Sequence, residues 1–577
     1  MTATSATGAF EALPTRSGAR LGVRSVRALT LLAVVACVAG AALRLPAIMQ
    51  PLGIDQGIFS AAAWGMSEGG ALYRDLWDQK PPGIHLLYRA TFALIGPREN
   101  AIFWMDYAAF LATIGLIVAI GRRLVDATWG WGAAAVYALL GLPSVRFGHG
   151  GFLERAVPEA FIPVFVLAAT ACVLSLDSES TSASDSSSDA AADAHTPWDG
   201  RIRAALAGAC IGCAALFKPT ALIYWPMLLI VIPLIAPRLA RLRGRLAIWS
   251  ILGLALPILL CALWLWQLHA LEDAWAAVVQ YNRAYLKVGY QPLAFIDRFV
   301  HEVWRLTKTD PLWLLGMSGL ALGIVTRGSR VDRAVLLGGA SLIAALIAAA
   351  ANGARFYSTY FMPCLVPLSL LAATLIFTRW SHRTHRLIII VLLAIASVRS
   401  VQTAVPQRVR DTVTEDIQAW RSGDDAAARL RYLEGFGSYA AGRGFSARAN
   451  TELSAWLDAH SDAHDRIFIF GMAPGVYFTS KRLPAQRFLW IGPAASNLLP
   501  RPDFSLEAVA AGLERTKPRY IIEEHNNRDS LLGWRVEEKF DDPSIRQVLT
   551  AYEALLQIED FSIYRRRDSG APPPSLP

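Results

Sequence analysis

Cysteine is almost missing from this chain: six of 577 residues, namely Cys37, Cys172, Cys210, Cys213, Cys261 and Cys364, each within or beside a long apolar run. The polar C-terminal third has none, so no disulfide framework is available there. Cys210 and Cys213 form a C-x-x-C amid alanine and glycine, a setting for small packing residues rather than a redox pair. Charge is sparse too. With 18% charged residues against 54% apolar ones, the composition excludes a soluble protein of this length and points to a polytopic membrane protein. The net charge of +9 does not require nucleic acid, because arginines recur in short loops between apolar runs, as membrane topology demands. Internal repeats and metal-specific spacings are lacking, and the single glycine turn around Gly471 is too little for a nucleotide site.

What is present is a polar island of about thirty residues lodged between apolar runs. It extends from Gly53 through Asp55, Tyr73, Asp75, Asp78 and Lys80 to Gly83. Residues 28–46 before it can cross a bilayer, which puts these charges at or just outside a membrane surface, where they stay ionised. Charge at that depth points to a ligand. Pro81 and Pro82 suit a helix start, since they lack the N–H that would go unpaired there, and the spacing predicts a helix over 83–95. Too short to span, it is expected to lie in the membrane interface. His85 and Arg89, one turn apart, would then form a polar stripe toward the headgroups. Lys80 at its head is a candidate phosphate ligand. The plainer alternative is that Lys80 snorkels and Asp55 caps a helix.

Taken in order, a basic tail (1–27) is expected in the cytoplasm, ahead of a run that reads as an uncleaved anchor. Apolar runs at 28–46, 101–120, 129–142, 158–174, 204–217, 221–235, 246–268, 311–325, 334–351, 360–376 and 387–401 give about eleven crossings in a transmembrane domain spanning 28–403. Their arginine-rich loops alternate with loops that collect on one outer face: the first outer loop (47–100), 144–155, the Lys218-Pro219 break, a polar and aromatic loop (269–309), and 352–360. His149 and Arg155 read as solvated loop residues, with Glu154 nearby. Residues 176–200 are too poor in apolar groups to pack and are expected to be a disordered cytoplasmic linker. From 404 to 568 the pattern turns to that of a small extracytoplasmic α/β domain, with helices at 412–433, 447–460 and 506–514 and strands at 466–471, 520–523 and 561–564. Residues 569–577 are expected to be a disordered tail.

The order of these motifs resembles the GT-C superfamily of glycosyltransferases that use polyprenyl-phosphate sugars, in the branch of protein mannosyltransferases, aminoarabinose transferases and Rgt-like enzymes. The matching positions are Asp55 after the first span, the stretch Gly70-x-x-Tyr73-x-Asp75, and Lys80-Pro81-Pro82. Gln56 departs from the pattern, standing where many relatives have a second acid. Glu159 matches an acid that commonly opens a later span, and Lys218-Pro219 a recurrent basic residue with proline. The stretch from Arg355 to Tyr360 is similar to a Gly-Arg-x-x-x-His-Tyr segment, with Thr359 in place of His. A weaker likeness joins Phe470-Gly471, Pro474, Tyr477, Arg482 and Arg487 to a segment of bacterial members, although a turn in the domain core explains that stretch equally.

This resemblance implies an inverting, multi-pass glycosyltransferase of the inner (plasma) membrane. It would transfer a sugar from a polyprenyl-phosphate donor to a lipid, glycan or protein acceptor at the extracytoplasmic face. Asp55 would be the general base. Lys80, Arg355, Lys218 and Tyr360 would serve the donor phosphate, while Tyr73, Asp75 and Glu159 would shape the sugar pocket or orient those groups. No cofactor is implied with certainty, though a divalent ion between Asp55 and Glu159 is compatible with hard oxygen ligands. Two alternatives are a transporter or flippase for a lipid-linked sugar and a GT-C-like scaffold without catalysis. The one-sided clustering of charge and the lack of repeats oppose the first, and the retention of Asp55 opposes the second.

Overall fold

The computed structural model describes residues 23–183, 198–236, 243–288, 290–325, 332–353, 355–377, 383–423, 425–437, 445–528 and 533–567. All eleven apolar runs are helical. Eight of the helical stretches among the described residues are long and apolar enough to cross a bilayer, beginning with Val26–Met49 and ending with Arg383–Gln402. The runs at 129–142, 221–235 and 311–325 form the shorter helices Ala127–Leu140, Pro219–Ile235 and Pro311–Val325. Eight is therefore the number that length and hydropathy establish, in a polytopic α-helical membrane protein.

The first helix, α1 (Val23–Arg44), leads through a 3-10 turn into the polar island, which is itself mostly helical: α2 (Ile54–Ser67), a compact loop, then α3 (Pro82–Ile95). Helix α3 starts where the tandem prolines place it, with Pro81 as its N-cap. Its polar stripe is not continuous. Arg89 is exposed as expected, but His85 is fully buried against Asp78, so the helix presents no His–Arg stripe to headgroups. Gly83 explains how closely α3 packs on the helix Trp198–Phe217: a Cβ there would lie 2.6 Å from the Leu216 carbonyl oxygen. That contact brings the Lys80 end of α3 toward Lys218.

The expected loop 269–309 is also helical, comprising Leu271–Trp275, a π-helical turn Ala276–Tyr281, Asn282–Lys287 and the amphipathic helix Pro292–Thr309. Polar composition hid an amphipathic period. Leu293, Ile296, Val300 and Trp304 form an exposed apolar row on that helix, while Phe295 and Phe299 pack at a tilt against Phe356. The stretch 176–200 likewise differs from a wholly disordered linker. The helix Pro158–Ala183 runs into its start and Trp198–Phe217 begins within its end, while 184–197 lie outside the described residues, as do 1–22 and 568–577.

The C-terminal part is an α/β domain around a four-stranded sheet of order β1-β2-β4-β3, with β1 (Ile467–Phe470), β2 (Tyr520–Glu524), β3 (Tyr552–Ile558) and β4 (Phe561–Arg566). β1 and β2 are parallel, and the remaining pairs are antiparallel. Every residue of β1 and β2 is buried, which accounts for the apolar run of β1 and of the first three residues of β2; β2 ends in two buried glutamates, Glu523 accepting from the Tyr564 hydroxyl and Glu524 from the Met472 N–H. Strand β3, half-exposed and carrying glutamate and glutamine, lacks that signature and is legible only through its hairpin with β4. The expected helix 412–433 is two helices, Val405–Arg421 and Ala426–Leu433; Ala447–His460 falls as expected.

This domain packs on the polar island through its apolar surface, and a single contiguous cluster of buried residues joins the two. Trp77 is fully buried among Tyr281, Phe488, Trp490 and Phe504, with ring centroids 4.9 to 5.8 Å away, and its backbone N–H donates to the Arg487 carbonyl. Phe92 of α3 stacks on Phe478 at 5.0 Å. The Gly471–Tyr477 stretch is thus both a core turn and a docking surface: a Cβ on Gly57 would lie 2.7 Å from the Gly475 backbone nitrogen. Gly57→Ala is therefore expected to push α2 off the domain at a cost of about 1–3 kcal/mol. The check is a lower apparent Tm together with faster protease release of the C-terminal domain; wild-type values for both would contradict the contact.

Candidate active site

Asp55 lies in the first turn of α2, where the helix N-terminus favours negative charge. Its carboxylate is half-buried and accepts no hydrogen bond from any described residue. Burial pushes its pKa above the usual carboxylate value; Asp78 and Glu159 add to the rise, while the charges of Lys80 and Lys218 offset part of it. The neighbouring Gln56 is fully buried and points away, its amide donating to the carbonyls of Phe152 and Arg155, both at 2.7 Å. A carboxylate there would face two acceptors with nothing to donate, a direct reason for an amide at this position.

Lys80 is held by its backbone. Tyr73, buried and in the left-handed region at φ 70°, turns the chain so that its hydroxyl donates to the Lys80 carbonyl at 2.9 Å. Asp78, also buried, accepts from the Gln79 N–H at 2.7 Å and pairs with His85 Nε2 at 3.0 Å. The Lys80 ammonium itself has no hydrogen-bond or ion-pair partner among the described residues. Burial opposes its charge, but Asp55, Tyr360, Asp78 and Glu159 outweigh that and hold its pKa above the usual lysine value. It stays cationic.

Glu159 opens the helix Pro158–Ala183, and Lys218 caps the 3-10 turn Pro219–Ile223. They meet as an ion pair at 2.5 Å, with the Lys218 ammonium 3.9 Å above the Tyr360 ring. Arg355 stands on Tyr285, its guanidinium 3.4 Å from the ring centroid and one nitrogen donating to the Tyr285 carbonyl at 2.5 Å. Its Nε and Nη1 are buried without a partner.

The structure thus brings Asp55, Lys80, Glu159, Lys218 and Tyr360 into one electrostatic neighbourhood, with Tyr73 behind Lys80 and Arg355 on the stretch that leads to Tyr360. Asp75 is not among them. It is exposed, paired with Arg74 at 2.7 Å, and accepts from the Ala71 N–H, so it closes the turn around Tyr73 instead of lining a pocket. Arg155 is not solvated either: it is buried and donates to the Ala47 and Gly150 carbonyls. Glu154 accepts from Ser358, and the side chain of His149 lies outside the described residues. Glu159 and Glu154 also line a cleft with Arg44, Asp106 and Tyr137. For a divalent ion the fit is poor: Lys218 holds Glu159, and no three His, Cys, Asp or Glu side chains converge among the described residues. The Asp78–His85 pair was not read from the sequence; an acid and a histidine flanking Lys-Pro-Pro, seven positions apart, were its signal.

No family model and no curated protein matches this sequence. Among solved structures, the chain is similar to ArnT from Cupriavidus metallidurans bound to undecaprenyl phosphate, with a TM-score of 0.55 and 14% identity over 96% of this chain and 100% of the other. The apo state of the same protein gives 0.53 and 14%, over 94% and 98%. The archaeal oligosaccharyltransferase AglB from Archaeoglobus fulgidus follows with a TM-score of 0.46, at 13% identity over 94% of this chain and 75% of the other, too low to bear on the argument. What the ArnT likeness establishes is the fold, and it is the GT-C fold.

Gln56→Glu tests the local geometry. Ionised, the new carboxylate would cost roughly 3 kcal/mol against two carbonyls; protonated, it regains one donor. Because that environment raises its folded pKa above the unfolded value near 4.3, the penalty should be small below about pH 4 and grow as pH rises toward the folded pKa. A Tm deficit relative to wild type that is larger at pH 8 than at pH 5 is the expected result.

Proposed function

We propose that this GT-C-fold chain is an integral-membrane glycosyltransferase that takes a sugar from a polyprenyl-phosphate donor at the extracytoplasmic face of the inner (plasma) membrane, with inversion. The observation that carries the reading is an unpartnered carboxylate and an unpartnered ammonium, Asp55 and Lys80, in one electrostatic neighbourhood with the Glu159–Lys218 ion pair. Structural ion pairs neutralise themselves; groups kept charged and unpaired await a ligand.

In this reading an acceptor hydroxyl oxygen attacks the anomeric carbon, its proton passes to Asp55, and the bond from that carbon to the phosphate oxygen breaks. The departing polyprenyl phosphate carries away the bond's electron pair. Lys80 and the open nitrogens of Arg355 would neutralise that growing charge where water is scarce and such stabilisation is strongest. Asp78 and Tyr73 keep Lys80 in place, and the Glu159–Lys218 pair walls the site. The raised pKa of Asp55, caused first by burial, suits a base, since a more basic carboxylate accepts the proton more readily. Charges at span ends, away from the bundle's middle, favour transfer over transport. The exposed apolar row of Pro292–Thr309 suits a helix lying along the bilayer surface beside the site.

Asp55→Asn keeps the shape but cannot accept a proton. Turnover from a synthetic polyprenyl-phosphate sugar should fall by roughly two to four powers of ten with donor binding retained. Wild-type kcat/KM should decline as pH falls through a pKa above the ordinary aspartate value, because only the ionised form is the base. Near-normal turnover by the variant would move the base elsewhere.

Sidedness follows from the arginine-rich loops. Reporter fusions after residues 190 and 440 should report cytoplasm and exterior respectively; the same side for both would refute the orientation.

A further inference from the structure

The peptide groups just before Pro81 are unusually well held. The Asp78 carboxylate takes the Gln79 N–H, the Tyr73 hydroxyl donates to the Lys80 carbonyl, and the Gln79 carbonyl between them accepts from Asn282 Nδ2 at 2.7 Å. Asn282 comes from a distant part of the chain. It follows the π-helical turn Ala276–Tyr281, whose wide winding leaves carbonyls within reach of its side chain: the same amide also donates to Val278 at 3.0 Å. One position earlier, Tyr281 packs edge-on against Trp77 at 4.9 Å. One turn later, Tyr285 supplies both the carbonyl and the ring that hold Arg355. A single short helix therefore touches the backbone that carries Lys80 and the guanidinium of Arg355.

We infer that Asn282 is a positioning residue for the donor phosphate: through the Gln79 carbonyl it ties Lys80 to the helix whose Tyr285 seats Arg355, and so fixes the spacing of the two cations. The inference rests on the donor reading given above. A lysine is a point charge on a flexible stem, and an arginine fork with open Nε and Nη1 accepts a phosphate only in a narrow set of orientations. Two such groups on separate segments bind one phosphate tightly only when a common element sets their distance, which lowers the ordering cost of binding. Polarity at position 282 thereby acts on lipid phosphate affinity without touching the ligand.

The test uses full-length protein in nanodiscs with undecaprenyl phosphate as the probe, comparing wild type, Asn282→Ala and Asn282→Asp, each also in a Lys80→Ala background. Loss of one positioning hydrogen bond should raise Kd about five- to tenfold, with kcat/KM for the donor falling at least as much, because the same two cations bear the charge on the departing phosphate. In the Lys80→Ala background the further loss should largely vanish. Asn282→Asp is nearly isosteric and cannot donate when ionised, so measured at high pH it removes the hydrogen bond without leaving a cavity. Failure of wild type to bind the probe would sink the donor reading itself. Wild-type binding with unchanged affinity in both Asn282 variants, or full additivity with Lys80→Ala, overturns this inference alone.

Discussion

The architecture around the first polar segment depends on holding a carboxylate and an ammonium in the same electrostatic neighbourhood without letting them form an ion pair. Left to themselves, Asp55 and Lys80 would be drawn into an ion pair, and burial makes leaving them separate costly. The protein answers with backbone constraint. Asp55 is fixed by the first turn of α2, and Lys80 by carbonyl and N–H contacts on the residues around it. The side chains are held from behind, leaving their charged ends open.

That arrangement needs support from outside the membrane bundle, which the C-terminal domain provides. Its turn after β1 rests on α2 at Gly57, its Phe478 on α3 at Phe92, and its aromatic residues enclose Trp77 in the intervening loop. Both helices that present the site, and the loop between them, thus share one apolar cluster with a folded domain. Large aromatic surfaces supply most of that adhesion, since each buries far more area than a hydrogen bond contributes in net stability.

Apart from Arg355, whose Nε and Nη1 have no partner, the other charges of the site are paired and serve shape. Glu159 and Lys218 neutralise each other beneath Tyr360, and Arg44 pairs with Asp106 at 2.7 Å in the lining of the adjoining cleft. An acid at position 56 would be another charge to neutralise, whereas the Gln56 amide bonds two carbonyls of the 148–155 segment and binds that segment to α2.

By itself, the sequence determined what local chemistry governs: apolar runs that become helices, a helix beginning at tandem prolines, and short strands read from apolar stretches such as Ile467–Phe470. Length also bounded the membrane reading: eight helical stretches are long and apolar enough to cross a bilayer, and the other three runs form shorter apolar helices. Only the tertiary structure decided pairing. His85 turned inward to Asp78, Asp75 outward to Arg74, and Lys218 to Glu159, while Asp55 and Lys80 kept their ends open. Asn282 reached Gln79 across most of the transmembrane domain, from a segment whose polar composition concealed its helices. Periodicity reports which face of an element is apolar, but a charge is set by its neighbours in space, and those neighbours are chosen when distant elements pack.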